Sequence, residues 1–171
     1  MIDRAGKAGG TMVQKLLKSF KLVAEFVGVF WFLVMFITFL LQVFTRYVMN
    51  DPLGWTTELC LIAFLWFAFW SGGLLVRPSD QVRFDLLYSM ASLKVRRLLT
   101  IVTTLSIAIV FLLGLPANVD FVTFMKIDVT SVMEIRFDYV FAVFVVFMAA
   151  LVVRGILRTI RLMRPDWQDE L

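Results

Sequence analysis

The stretch FVGVFWFLVMFITFLLQVFT, residues 26–45, carries no charge and no proline, and its strongly polar side chains are Thr38, Gln42 and Thr45. At 1.5 Å of rise per residue, a helix of this length covers roughly 30 Å, the thickness of a bilayer's hydrocarbon core. Residues 59–76, 98–119 and 139–153 are equally free of charge. Outward from these runs the chain reads as an all-α integral membrane protein with four transmembrane helices, over about 22–46, 56–77, 97–119 and 138–160. Short tails, 1–16 and 164–171, complete a single membrane domain. The fourth run is the shortest. It spans when Asp138 sits at one interface and Arg154 and Arg158 stretch their aliphatic stems to place the guanidinium groups among lipid headgroups.

Composition agrees with this reading. Hydrophobic residues make up 61% of the chain, charged residues 18%, and the mean hydropathy is +0.88, which excludes a water-soluble domain. Histidine is absent and Cys60 is the single cysteine, so His-ligated haem, thiol–disulfide relays and nearly all zinc or iron–sulfur sites lack ligands. We therefore expect no metal, no cofactor and no enzymatic activity, and read Cys60 as a small apolar side chain within a span. The formal charge of +4 gathers at span ends rather than along a soluble stripe with interleaved aromatics. Lipid headgroups, and not nucleic acid, are the expected counterions. The basic start is followed by an apolar run too long for a signal-peptide core and without an A-x-A-like site, which suggests an uncleaved signal anchor.

The basic residues also orient the chain. Five precede the first span, five (Arg77, Arg83, Lys94, Arg96, Arg97) lie between the second and third, and Arg154, Arg158, Arg161 and Arg164 close the fourth. Arg46, Lys126 and Arg136 are the three on the opposite side. The positive-inside rule then makes both termini and the second connection cytoplasmic, as an even number of spans also requires of the termini. Tyr47, Trp55 and Tyr139 fit an outer aromatic belt.

In the first connection, Asn50-Asp51-Pro52-Leu53-Gly54 combines a fixed proline φ with a permissive glycine, and predicts a tight outer hairpin. Arg46 and Glu58 flank this turn, either paired across the two helices or solvated separately. In the second connection, Val82, Leu86, Met90 and Leu93 recur at helical spacing opposite Asp85, Ser89, Ser92 and Arg96. This predicts a short amphipathic helix over about 81–94 in the cytoplasmic interface, with Asp80 as N-cap; its apolar face fits lipid or the spans equally. Pro116 is expected to kink or end the third span, leaving Asp120, Lys126 and Asp128 in a net acidic outer connection.

No charged residue falls at mid-membrane, where transport paths are usually marked. Glu25 lies one turn inside the first span, four residues from Lys21, and is expected to pair there. Thr38 and Gln42 would line a polar cavity or hydrogen-bond between helices. Ser71-Gly72-Gly73 is the nearest approach to a helix break, and Ala24 with Gly28, and Ala68 with Gly72, are spaced as close packing points. Bulk stands out: 18 Phe and 5 Trp, with Trp66 and Trp70 among the aromatics distributed around the second span, as on a helix that faces protein on one side and lipid on another.

Arg46-Tyr47, then Trp55-Thr56-Thr57-Glu58-Leu59, then the aromatic span ending at Gly72 resemble the R-Y pair, the W-x-[DE]-E turn and the F/W-rich helix of a known family. This is the small membrane (Q, DctQ-type) subunit of tripartite ATP-independent periplasmic (TRAP) transporters. Gln81-Val82-Arg83-Phe84-Asp85 is similar to its H-[IV]-x-[FVM]-[DE] segment, and 131–139 to the lead into its fourth helix. Thr57 stands where many members carry the first of two acids, and Gln81 where many carry histidine. Arg46, Trp55, Glu58, Gly72 and Asp85 match position by position.

The resemblance implies a bacterial or archaeal inner-membrane subunit that binds a much larger M subunit holding the transport path and sodium sites. A periplasmic binding protein delivers an organic acid to that assembly. It makes Arg46, Tyr47, Trp55, Glu58, Trp66, Trp70, Gly72, Arg83 and Asp85 candidates for subunit contacts or interfacial anchoring. A competing reading is a self-sufficient four-helix transporter acting as a dimer, with Glu25 as its ion carrier.

Overall fold

In the computed structural model, which describes residues 3–76 and 92–164, all four apolar runs are helical. Helix α1 covers Asp3–Tyr47, α2 Gly54–Trp70, α3 Leu93–Phe124 and α4 Phe137–Leu162. Helices long and apolar enough to cross a membrane occupy Lys18–Tyr47, Gly54–Leu75, Leu93–Ile127 and Phe137–Leu162. Among the described residues the β-structure is the isolated bridge between Val129 and Arg136. The chain divides into two units, Met1–Leu75 and Val76–Leu171, each built on one helical hairpin.

In the first unit, α1 and α2 run antiparallel around a turn at residues 48–53. The N–H groups of Val48 and Met49 both reach Phe44 O, at 2.8 and 3.3 Å, and Asp51 N–H reaches Thr45 O at 3.1 Å. Asn50 adopts φ 54° to make that reversal, a left-handed conformation that asparagine tolerates better than most residues. Thr56, fully buried, donates its hydroxyl to Leu53 O at 2.6 Å and closes the start of α2. The helices then meet at stepped positions: Gln42 with Thr57, Trp31 with Trp66, Phe32 with Phe67, and Ala24 with Trp70. The segment read as an N-terminal tail is continuous with this hairpin, because α1 already begins at Asp3.

At Ser71–Leu75 the α-helix widens to a π-helical turn, where the sequence offers Ser71-Gly72-Gly73. Gly28 lies directly beneath it: a Cβ there would come within 2.9 Å of Leu75 Cδ1 and 3.5 Å of Ser71 Oγ. Ala24 and Gly28 are both buried, in keeping with their reading as packing points.

The second unit pairs α3 with α4 around Val143, Met148, Val152 and Leu162, all buried. Its closest approach is at Gly155, where a Cβ would lie 2.9 Å from Ala108 Cβ and 3.5 Å from Thr104 O. Phe111 meets Phe147 edge-on at 6.1 Å. Arg97 Nε donates to Leu162 O at 2.9 Å and so caps a carbonyl that the end of α4 leaves open. Arg154 donates to the carbonyl of Val76, the first residue of this unit. A half-buried guanidinium is well served by a backbone acceptor.

Helix α3 does not end at Pro116. It continues to Phe124 and tightens to a 3-10 turn over Met125–Ile127. Proline removes one backbone donor, whereas ending the helix inside hydrocarbon would orphan several groups at once, so continuation is the cheaper arrangement. Asn118 Nδ2 adds a bond to Gly114 O at 2.7 Å across the same turn. Leu93 and Lys94 belong to the first turn of α3. Ser92 is the N-cap of that helix, and residues 81–91 of the expected amphipathic helix, with Asp80, lie outside the described residues.

Replacing Gly155 by leucine should overpack the α3–α4 crossing by about 1–3 kcal/mol. A thermal melt of the detergent-solubilised protein would show this as a lowered midpoint, and an unchanged midpoint would contradict the close approach.

Candidate functional site

The residues singled out in the sequence fall at the two ends of the first hairpin. Arg46 and Tyr47 complete the last turn of α1, both exposed, and the Arg46 guanidinium lies 5.9 Å from the Tyr47 ring centroid. Trp55 opens α2 at 37% exposure, and Glu58 follows one turn later, half-buried. Trp66, Trp70 and Gly72 lie toward the other end. Fourteen residues of helix separate Glu58 from Gly72, about 20 Å along the axis. The structure thus spreads the candidates along the first hairpin and not around one cavity. Arg83 and Asp85 lie outside the described residues.

Each end is fixed by its own bonds. At the turn end, Gln42 Nε2 donates to Thr57 Oγ1 at 2.7 Å, so of the two readings of Gln42 the interhelical bond is the one found. Thr57 is the position where the sequence departs from the acidic pair of its look-alikes, and here a neutral hydroxyl serves a neutral amide. Thr38 is buried, at 5% exposure. At the other end, Trp70 Nε1 donates to Ala24 O at 2.9 Å, and Trp66 stacks on Trp31 with centroids 5.2 Å apart and planes inclined by 29°. A tryptophan buried among apolar groups needs an acceptor for its N–H, and Trp70 has one on the facing helix. Cys60 Sγ lies 3.9 Å from Met35 O, a weak contact consistent with a packing role.

Glu25 pairs with Lys21 at 3.5 Å, with both side chains about half exposed. Beside it a groove of about 200 Å³ runs between α1 and α2, lined by Glu25, Gly28, Val29, Phe32, Phe67, Ser71 and Leu75. The Ser71 hydroxyl is buried without a hydrogen-bond partner. Sequence reasoning reached the Ser-Gly-Gly segment but not the π-turn, which has no periodic signature. Among the described residues, no three His, Cys, Asp or Glu side chains gather as a metal site would require.

The Gln42–Thr57 bond is testable by a double-mutant cycle of Gln42→Leu and Thr57→Val. Interhelical hydrogen bonds in membranes couple by about 0.6 kcal/mol on average. Additive effects on unfolding of the two single changes would mean that the bond contributes nothing.

No curated protein matches the chain. Residues 16–165, however, match the family described as tripartite ATP-independent periplasmic transporters, DctQ component, a stretch that takes in all four membrane-spanning-length helices from Lys18 to Leu162 and every candidate residue named above. The resemblance carried by Arg46, Trp55, Glu58 and the aromatic second span is thereby confirmed, and the chain belongs to the DctQ family, the small (Q) subunit of TRAP transporters.

Proposed function

We propose that this subunit is a non-catalytic support for sodium-coupled import of an organic acid. Family membership implies a large membrane partner and a periplasmic binding protein. On our reading the large M subunit holds the substrate and the sodium ions, and this chain enlarges the fixed frame against which its transport domain moves. It also supplies part of the surface on which the binding protein docks. The 14-to-3 distribution of Lys and Arg supports cytoplasmic termini, and so a periplasmic position for residues 48–53 and 125–136, in a bacterial or archaeal inner membrane.

The observation that carries this proposal is how little of each span the chain buries by itself. Between 11% and 28% of the most apolar window of each span is covered. Phe26 remains 74% exposed and Leu113 75%. Surfaces this extensive fit lipid on one side and a large partner on another. Within this arrangement Arg46, Tyr47, Trp55, Glu58, Trp66, Trp70 and Gly72 line the subunit contact or the bilayer interface, with Arg83 and Asp85 contributing from the second connection.

Affinity purification of the tagged chain from its native membrane in mild detergent should recover a large polytopic protein at constant ratio; recovery of the chain alone would overturn the proposal. Reversal of Arg46 or Glu58 should lower the yield of that complex by about 5-fold, the change that roughly 1 kcal/mol of charge coupling produces. Glu25→Gln should leave assembly and uptake largely intact, whereas loss of all uptake would revive Glu25 as an ion carrier.

A further inference from the structure

One face of α1 passes from charge to bulk within the depth of a single leaflet. Lys21, Glu25, Val29 and Phe32 recur at intervals of three or four residues and form one stripe along the helix. The eleven residues from Lys21 to Phe32 rise about 16 Å, roughly half of a 30 Å hydrocarbon core. The charged end of the stripe therefore stands among the headgroups, and its aromatic end points toward the bilayer centre. The groove of about 200 Å³ follows this stripe, lined by Val29 and Phe32 from α1 and by Phe67 and Leu75 from α2 and its π-turn. Gly28 keeps it open, since a Cβ there would come within 2.9 Å of Leu75 Cδ1. A methylene takes about the room of a water molecule, roughly 30 Å³, so the groove accepts about seven carbons of a chain. It opens sideways to lipid past Val29, which is 56% exposed.

The rim of the groove carries a charge of each sign. Lys21 and Glu25 lie 3.5 Å apart, and each keeps about half of its side chain exposed to further partners. Lys18, exposed one turn farther out, adds a second cation on the phosphate side. A purely anionic headgroup would meet Glu25 as well as the lysines, whereas a zwitterionic one offers phosphate to ammonium and ammonium to carboxylate. A primary ammonium donates charge-assisted hydrogen bonds to a carboxylate, and a quaternary one has no N–H to give.

We propose that this groove holds one phospholipid whose headgroup bears a primary ammonium, with its phosphate on Lys21, its ammonium on Glu25 and part of one acyl chain along Val29, Phe32 and Phe67. The Ser71 hydroxyl, buried and without a hydrogen-bond partner among the described residues, lies beside Gly28, about 10 Å below Lys21 along α1. The ester carbonyls of a lipid lie between its phosphate and its chains, and are acceptors of the kind this hydroxyl lacks. The site exists for either orientation of the chain, since it requires only that α1 and α2 cross a membrane. A lipid held there ties the end of the hairpin where α2 widens to the headgroup layer.

The full-length chain, purified in detergent and stripped of lipid, is titrated with phosphatidylethanolamine or with phosphatidylcholine of the same chains, and the lipid retained is counted by native mass spectrometry. The wild-type chain should hold one phosphatidylethanolamine about 5-fold more tightly than phosphatidylcholine. Glu25→Gln should abolish that preference and leave phosphatidylcholine retention unchanged; the lipid is structural, so the change is read in retention and not in uptake. Val29→Trp fills the groove from its exposed side and should lower retention of both lipids about 5-fold, with the lipid-free thermal midpoint kept at the wild-type value. Equal retention of the two lipids by the wild-type chain overturns the headgroup assignment, and unchanged retention in Val29→Trp overturns the groove. Displacement of the lipid when the large subunit binds would make the groove part of the subunit contact and overturn the proposal as well.

Discussion

A backbone N–H or C=O inside hydrocarbon has no water as an alternative partner, and each group left open there costs several kcal/mol. The helices of this protein follow from that constraint. It carries α3 through Pro116, which in water would be a natural place to stop. It also explains where the hydroxyls go: Thr100, Thr103, Thr123 and Thr159 each donate to the carbonyl four residues earlier, at 2.8–2.9 Å. Such bonds satisfy a polar side chain without help from another helix. Among the described residues, Ser71 departs from this pattern. Its own N–H is shared between Phe67 O and Ala68 O where the helix widens, and its hydroxyl stays unpartnered beside Gly28. π-turns of this kind recur at functional positions, and this one lies at the end of the hairpin where Trp70 and Gly72 were singled out.

The same solvent removes the usual reason for helices to associate, since lipid tails are as apolar as leucine. Contact area and a few polar bonds take its place. Gly155 lets α3 and α4 approach until Ala108 fills the gap, and Gly28 does the same beneath the π-turn. Flat aromatic pairs such as Trp31 with Trp66 then supply dispersion over a wide surface at small rotamer cost. The polar bonds of the first hairpin sit near its ends, Gln42–Thr57 beside the turn and Trp70–Ala24 at the far side, so they fix register more than they add strength.

Much of this architecture was legible in the sequence because the signals are compositional. Charge-free runs define spans. Asn50-Asp51-Pro52-Leu53-Gly54 announces a reversal. What could not be read depends on three-dimensional context. Of the two effects expected of Pro116, a kink or an end, the end is not found, because the surrounding medium decides whether a break is tolerable. The capping bond from Arg97 to Leu162 O joins residues far apart in sequence, and nothing in the local pattern of either points to the other. The candidate residues were legible as a motif, yet their division between two ends of one hairpin emerges only when α2 is built.

That division bears on the kind of partner involved. A peptide or a small loop would meet one end of the hairpin, whereas residues from Arg46 to Gly72 extend over most of the depth of a bilayer. A partner that used both ends would have to run beside α1 and α2 through the membrane, which is what a large polytopic subunit can do. Its contact would then be long, apolar and weakly anchored per residue, with the aromatic surface of α2 as its middle and the charged turn as one boundary. In such an interface single substitutions at mid-span alter packing locally and are tolerated, while changes at the boundary shift alignment along the whole length. The effect of a residue on assembly should therefore rise with its distance from the bilayer centre, the reverse of the gradient expected for a subunit whose own midplane carries substrate.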